Sequence, residues 1–257
     1  MHVKELFDLT GKVAIVTGGG RGLGEQIAKG FAEAGANVVL CSRNENACKE
    51  VSEELKSIGV ESLAFKCDVT NPEDVQNVVN QTQEKFGRID ILVNNSGASW
   101  GAPAEDMPLE AWHKVLNVNV TGTFIMSQAV GKIMLAQNEG KIINIASVAG
   151  LQGTNPKYLD AVGYSASKGA VVNLTRDLAV KWGSRGVHVN AIAPGFFPTK
   201  MSKDVIAHGG EDILEGTPLR KFGSENDLKG AALFLAAPAS DFVTGAILVV
   251  DGGSSVM

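Results

Sequence analysis

Seven short apolar runs, rich in β-branched residues, punctuate this chain at residues 12–17, 37–42, 62–67, 89–93, 141–145, 187–192 and 246–250. Most are apolar on both faces, which belongs in a parallel sheet covered by helices on either side. The stretches between them supply those helices: periodicity predicts helices at about 22–34, 45–58, from 72 onward, 109–137, 161–182 and 225–236. Gly35 and Gly59 are placed to stop two of them in the left-handed conformation, and Asn71-Pro72 to start a third. Alternating strand and helix implies right-handed crossovers, hence an α/β, doubly wound, seven-stranded parallel sheet with helices on both faces. No linker, repeat or low-complexity tract interrupts residues 1–257, so one domain is expected. Residues 194–223 carry no predicted element; they hold Phe196, Phe197, Pro198, Pro218 and five glycines. Following the sixth run, this segment should overlie the carboxyl edge of the sheet as a substrate loop.

The first apolar run opens directly onto Thr17-Gly18-Gly19-Gly20-Arg21-Gly22-Leu23-Gly24, at the start of the first helix. In that context a glycine-rich turn aims backbone N–H groups at a dinucleotide pyrophosphate, the Rossmann arrangement. Gly18 suits the tight turn, Gly22 the approach of the phosphates, and Gly24 close helix–strand packing. The bland reading is a tight turn without a ligand. The second run ends in Ser42-Arg43-Asn44, not in the acidic residue that takes a ribose 2′-hydroxyl. Arg43 and Arg21 offer guanidinium forks to a 2′-phosphate, which favours NADP(H) over NAD(H). Asp68, past the third run, is a candidate for the adenine amino group. Asn94-Asn95-Ser96-Gly97, past the fourth, can support the turn and the cofactor. For a single Asp or Asn, a plain turn role competes.

Tyr164 and Lys168 stand at i and i+4 on a predicted helix, so they share a face. A free phenol titrates near pH ~10, too high for proton exchange at neutrality; a cation beside it lowers that value. Ser147, after the fifth run, is placed to hydrogen-bond a substrate oxygen. Asn119 falls mid-helix, where asparagine has poor propensity, which points to a specific hydrogen-bonding task. A Tyr-x-x-x-Lys pair alone is most often an ordinary surface pair; in this order with the glycine turn it is the equipment of hydride transfer.

Composition closes other routes. The net charge is −5 and no basic block occurs, which argues against nucleic acid or an acidic membrane surface as partner. No run reaches the roughly eighteen apolar residues of a membrane span. Residues 1–10 lack the apolar stretch of a leader. Cys41, Cys48 and Cys67 show no Cys-x-x-Cys spacing and read as buried thiols of a reducing, cytoplasmic compartment. His2, His113, His188 and His208 show no ligand spacing, so no metal is expected.

Over essentially its whole length, from Gly11-Lys12-Val13-Ala14 to Val250-Asp251-Gly252-Gly253, the chain resembles the short-chain dehydrogenase/reductase superfamily in its compact single-domain branch. The matching positions are the Thr17–Gly24 turn, Asp68, Asn94–Gly97, Asn119, Ser147, Tyr164, Lys168, Pro194-Gly195 and Thr199. The resemblance implies Tyr164 as general acid/base and Ser147 as the group orienting the substrate carbonyl or hydroxyl. It implies that Lys168 binds the nicotinamide ribose and depresses the Tyr164 pKa, that Asn119 anchors a water of a proton relay, and that Thr199 meets the carboxamide. The implied cofactor-binding set is Gly18, Arg21, Gly22, Leu23, Gly24, Ser42, Arg43, Asp68, Val69, Asn95, Tyr164, Lys168, Pro194, Gly195 and Thr199. Members are often homotetramers.

Two departures stand out: Ser96 replaces the usual alanine, and residues 154–160 lengthen the stretch between Ser147 and Tyr164. The segments 194–201 and 217–223 resemble those of gluconate 5-dehydrogenase-like members, which points to a polyol or sugar-acid substrate. A carboxylate would need a cation, for which Lys157 and Lys200 are candidates, whereas 98–103 holds Trp100 and no Lys or Arg. A 3-oxoacyl-thioester reductase shares every catalytic feature but wants a basic rim, and only Lys200, Lys203, Arg220 and Lys221 are scattered there. A non-catalytic NADP(H)-sensing regulator is the reading from another class.

Overall fold

The computed structural model describes residues 2–200 and 202–257; Met201, at the end of the segment 194–201 singled out above, lies outside them. Seven strands form one sheet: β1 Val13–Thr17, β2 Asn37–Ser42, β3 Ser62–Lys66, β4 Ile91–Asn94, β5 Gly140–Ile145, β6 Val187–Pro194 and β7 Ile247–Val250. All neighbours are parallel, in the order β3-β2-β1-β4-β5-β6-β7. The order reverses between β1 and β4, where the carboxyl ends open a crevice suited to a ligand. Thr17 and Asn94 end those two strands, so the glycine turn and Asn95-Ser96-Gly97 meet there.

Among the described residues, eight helices flank the sheet: α1 Gly22–Glu33, α2 Glu45–Ile58, α3 Pro72–Phe86, α4 Leu109–Leu116, α5 Gly122–Gln137, α6 Val162–Trp182, α7 Lys203–Glu215 and α8 Lys229–Ala236. Alternate strand residues serve opposite faces. Ala14, Val16, Val38, Leu40, Ile91 and Val93 pack with Ile27 and Phe31 of α1, Val51 and Leu55 of α2, and Leu235 of α8. Ile15, Val39 and Leu92 pack with Val75 and Val78 of α3, Met126, Val130 and Met134 of α5, and Leu178 of α6. Side chains of this size stabilise by roughly 1.5–3 kcal/mol each when fully buried, which is why both strand faces read as apolar. The predicted stops are in place: Gly35 and Gly59 have φ of +94° and +105°, and Asn71 Oδ1 accepts from Glu73 N at 2.9 Å.

Three segments differ from expectation. The long helix predicted over 109–137 is interrupted by a π-helical turn at Asn117–Thr121. Its sequence, Asn-Val-Asn-Val-Thr, has no strong helix former. Residues 194–223 contain a helix, α7; periodicity missed it because only Ile213 of its described side chains is buried and because Gly209 kinks it, at φ −133° and ψ 18°. The last predicted helix begins at Lys229, not 225, since Asp227 accepts from Ser224 N and Oγ at 2.7 Å in a turn ahead of it. The three cysteines are free and buried, as expected. Among the described residues, no helix is long and apolar enough to cross a membrane.

Candidate active site

The glycine turn is held from below by hydrogen bonds that the sequence only partly announced. Gly18 has φ +65° and donates its N–H to Cys41 O at 2.7 Å, tying β1 to β2. Asn95 Nδ2 donates to Thr17 O at 3.0 Å and Gly18 O at 3.2 Å. Thr17 Oγ1 accepts from the N–H groups of Asn95 and Ser96, both at 3.0 Å. Ser96 therefore contributes its backbone here, which is why serine can stand for alanine. A Cβ on Gly24 would fall 2.5 Å from Gly18 O and from Asn95 Nδ2, so the helix reaches the turn only without a side chain there. Gly22, at φ +58°, lies beside Thr199, whose methyl would be in van der Waals contact, 3.6 Å, with a Cβ at that position. The turn, with its backbone N–H groups at a helix start, thus lies against Thr199. That is the cradle a pyrophosphate requires. Leu23 packs its side chain against the core on the α1 side of the sheet.

Past the ends of β1 and β2, Arg21 and Arg43 are exposed, and among the described residues neither makes an ion pair. Ser42 Oγ donates to Asn44 O at 2.9 Å and accepts from Asn44 N at 3.2 Å, so it shapes the turn. Asp68 Oδ1 accepts from Thr70 N at 3.0 Å and Thr70 Oγ1 at 2.8 Å. Those bonds, the backbone one foremost, hold its carboxyl below the usual range, and the charge of Arg43 helps. Val69 is buried against Gly122, where a Cβ would come within 2.6 Å of its methyl. Pro194 ends β6, and Gly195 N donates to Val250 O at 3.0 Å. Thr199 N donates to Ser202 Oγ at 2.9 Å, a turn that leads into α7.

Ser147, Tyr164 and Lys168 come together where the end of β5 meets α6. Ser147 follows β5 and is 8% exposed; its Oγ accepts from Ala149 N at 3.2 Å, capping a single 3₁₀ turn, Val148–Gly150. That turn rests on the backbone of α6: a Cβ on Gly150 would lie 2.5 Å from Lys168 C and 2.7 Å from Gly169 N. Ser147 is thereby fixed relative to Tyr164 and Lys168. Lys168 is buried, donates from Nζ to Ile145 O at 2.7 Å, and places Nζ 5.5 Å from the Tyr164 ring centroid. Burial lowers the Lys168 ammonium to about 8.

Burial also pushes the Tyr164 phenol above its usual value, with the Ser147 hydroxyl pulling it partly back. This corrects the expectation of a depressed phenol. The i,i+4 spacing did bring the ammonium alongside, but in the protein alone desolvation outweighs it.

Asn119 lies in the π-turn, 1% exposed. Its Oδ1 accepts from Ala98 N at 2.7 Å, and its Nδ2 donates to Ala98 O at 2.9 Å and Ser167 Oγ at 2.8 Å. Ser167 Oγ donates to Tyr164 O at 2.7 Å. One asparagine therefore links the loop after β4 to the turn of helix bearing Tyr164, a task that mid-helix placement hinted at. Π-turns recur at functional sites because they turn a side chain off the helical register. Ser167 was missed, although it stands between Tyr164 and Lys168 on the same helix. Also missed is a buried chain beneath the site: Asn94 Nδ2 donates to Ser127 Oγ at 2.9 Å and Asn144 Oδ1 at 2.8 Å, and Asn144 Nδ2 to Thr175 Oγ1 at 2.9 Å. Polar residues inside otherwise apolar runs were its signal.

The cations proposed for a carboxylate do not converge. Lys157 Nζ pairs with Asp212 Oδ2 at 2.6 Å, and Lys200 is exposed.

Known proteins match this chain over nearly its whole length. A family model described as "Enoyl-(Acyl carrier protein) reductase" matches residues 18–255. The chain is 41% identical over 254 residues to 2-dehydro-3-deoxy-D-gluconate 5-dehydrogenase of Bacillus subtilis, covering 98% of each chain. It is also 41% identical over 247 residues to a 3-oxoacyl-[acyl-carrier-protein] reductase of Synechocystis sp., covering 95% of this chain and 97% of that one. Among solved structures, a gluconate 5-dehydrogenase from Burkholderia cenocepacia in complex with NADP and tartrate superposes with a TM-score of 0.94 at 36% identity, covering all of both chains.

Proposed function

The chain belongs to the short-chain dehydrogenase/reductase superfamily and is an NAD(P)-dependent oxidoreductase; from that premise we propose that it interconverts a secondary alcohol and a ketone on a polyol or sugar acid, with NADP(H) as preferred cofactor. The observation that carries the reading is the convergence of Ser147, Tyr164 and Lys168 at the end of β5, with a glycine turn at a helix start packed against Thr199.

The bound dinucleotide would supply and accept the hydride. The chain's own residues manage the proton and the orientation. Tyr164 Oη gives a proton to the substrate oxygen in reduction and takes it in oxidation. Ser147 Oγ accepts from Ala149 N, which leaves its hydroxyl as a donor to be shared between Tyr164 Oη and the substrate oxygen. Lys168 stabilises negative charge on the phenol, and its depressed ammonium can exchange a proton near neutrality. The side chain of Asn119 is committed to Ala98 and Ser167, so the relay water falls to its backbone carbonyl, beside the bond from Thr123 Oγ1 at 2.8 Å. Gly18, Gly22, Leu23, Gly24 and Asn95 hold the pyrophosphate turn; Pro194, Gly195 and Thr199 border the nicotinamide end. Ser42, Asp68 and Val69 line the adenosine end.

The NADP(H) preference rests on the unpaired, exposed Arg21 and Arg43 and on the absence of an acidic residue at the end of β2; the B. cenocepacia relative was solved with NADP. An acyl-thioester substrate fits less well. Of the four basic residues on that rim, Arg220 donates to Leu214 O at 3.3 Å and Lys221 pairs with Asp227 at 3.5 Å. A sensing role without turnover is disfavoured by the intact Tyr164–Lys168 arrangement.

One domain, with 194–223 as its substrate segment, completes the reading. It acts in the reducing cytoplasm, where three buried free thiols persist. It assembles as a homotetramer, for which the apolar side chains left outside (Phe124 at 42%, Val180 at 83%, Phe242 fully exposed) provide surface.

The test is a screen with NADP⁺ over gluconate, other polyols and secondary alcohols, and with NADPH over ketones and acyl thioesters. Wild type should turn over a polyol or sugar acid. Tyr164→Phe should lose roughly a hundredfold or more in kcat while keeping cofactor affinity. Tight cofactor binding without turnover of any compound would favour the sensor.

A further inference from the structure

Residues 154–160 lengthen the path from Ser147 to Tyr164, and the reaction as described gives them no task. They are not slack. Asn155 O accepts from Tyr158 N at 2.9 Å and Leu159 N at 3.0 Å. Asn155 Oδ1 accepts from Lys157 N, and Thr154 Oγ1 donates to Leu159 O, both at 3.0 Å. At its far end this knuckle is fastened to the loop carrying Trp100, where Ala102 N donates to Asp160 O at 2.9 Å and Ala102 bridges Ala161. It then runs directly into α6 and Tyr164.

Its outer side meets α7. A Cβ on Gly209 would lie 3.9 Å from Tyr158 Cδ1 and 4.0 Å from Lys157 O, so the insertion touches α7 at its kink. One turn further on, Lys157 Nζ pairs with Asp212 Oδ2 at 2.6 Å. Ile213 is the one buried side chain of α7 among those described, and the side-chain bonds from Thr217 Oγ1 to Ile213 O at 2.8 Å and from Arg220 Nη1 to Leu214 O at 3.3 Å hold only its C-terminal end. Among the described residues, Lys157 with Asp212 is the ion pair that ties the helix to the rest of the chain.

We propose that residues 154–160 form a strap that positions α7, and with it the substrate segment that leaves the cofactor cleft at Thr199, against the catalytic helix, with Lys157 and Asp212 as its latch. This rests on the alcohol–ketone reading above. It also reassigns Lys157: its partner is the carboxylate of α7, not that of a substrate. Both are positioning residues that touch neither substrate nor cofactor. Their side chains are 64% and 37% exposed, so the latch should favour the docked position of α7 by only about 1.4–5-fold, the range of exposed ion pairs.

The experiment compares wild type, Lys157→Gln, Asp212→Asn and the exchanged pair Lys157→Asp/Asp212→Lys. Steady-state kinetics on the substrate found in the screen is combined with amide hydrogen exchange across residues 203–215. Each single variant should raise substrate KM about 1.4–5-fold, with kcat and the KM for NADP⁺ unchanged. Exchange in α7 should quicken by a similar factor. The exchanged pair should restore both, and added salt should erase the wild-type advantage. Unchanged exchange in both single variants would overturn the strap even if no substrate were found. A turnover failure with altered exchange would leave the strap standing and count against the alcohol–ketone reading alone. Altered KM in the single variants with no recovery in the exchanged pair would also overturn the latch.

Discussion

Replacing Lys168 with methionine should expose a lysine kept against the interest of stability. Its side chain is buried, and burial lowers its ammonium from the usual 10.5 to about 8. Below pH 8 the group is charged both folded and unfolded, and the folded state carries the whole desolvation cost. Between about 8 and 10.5 the folded lysine is neutral while the unfolded one still holds its proton, so wild-type stability gains roughly 1.4 kcal/mol per pH unit. Above 10.5 the cost has gone. The sum over the window is about 3 kcal/mol.

Lys168→Met removes that pH-dependent cost. It also leaves Ile145 O without the donor it has at 2.7 Å, a penalty of about 1–3 kcal/mol that does not vary with pH. At neutrality the two effects nearly cancel, so the informative quantity is the change in the stability gap with pH. Urea unfolding of both proteins at intervals from pH 7 to 10.5 should show wild type gaining about 3 kcal/mol on the variant. In thermal scans that is roughly 6–12 °C at this chain length. A gap that stays constant across the window would refute the claim that the ammonium is buried and strained, and with it the proton-exchange role assigned to Lys168.

Arg43→Ala should lower kcat/KM for NADP⁺ while leaving that for NAD⁺ nearly unaltered, because a guanidinium contact to a 2′-phosphate is absent in NAD⁺; an unchanged ratio of the two would reject the cofactor assignment. Gly150→Ala should cut kcat well beyond its effect on cofactor affinity, since the new methyl meets backbone atoms of Lys168 and Gly169 at 2.5 and 2.7 Å and must displace Ser147 from Tyr164. Gly169→Ala, across the same contact, meets only Gly150 O at 3.5 Å and should be tolerated; equal losses in the two variants would show that the contact is not what orders the site.

How much of this was legible in the residues depends on what each pattern encodes. Strand runs announce burial on both faces, and their order fixes where the sheet's crevice opens, so the sheet, the glycine turn and the loop after β4 were readable from Val13 to Asn95. Helix α7 was not, because periodicity detects an apolar stripe and this helix buries little beyond Ile213, with Gly209 and Gly210 inside it. Its position is set by contacts with residues about fifty positions away, and no local pattern carries that. The break at Asn117–Thr121 left a trace in low helix propensity, but propensity cannot say whether a helix ends, kinks or forms a π-turn.

The phenol of Tyr164 illustrates the limit most sharply. Sequence spacing reports adjacency, and adjacency alone predicts a lowered pKa. Acidity follows a balance between adjacency and burial, and burial follows from the whole fold. Here the same enclosure penalises both charged forms, raising the Tyr164 phenol and lowering the Lys168 ammonium. The order of their proton affinities is thereby reversed: the lysine, ordinarily the slightly weaker acid of the two, falls to about 8 while the phenol rises above its usual value of about 10. In the protein alone the neutral pair is favoured over phenolate with ammonium. Additional positive charge delivered next to the phenol would reverse that preference, so Tyr164 should act as a base only when the cleft holds a cationic ring. An alkaline titration of the phenol by ultraviolet difference absorbance, with and without NADP⁺, should show the transition moving to lower pH on binding. An unmoved transition would mean that Tyr164 does not share the cleft with the nicotinamide, and the proton-transfer assignment would fall with it.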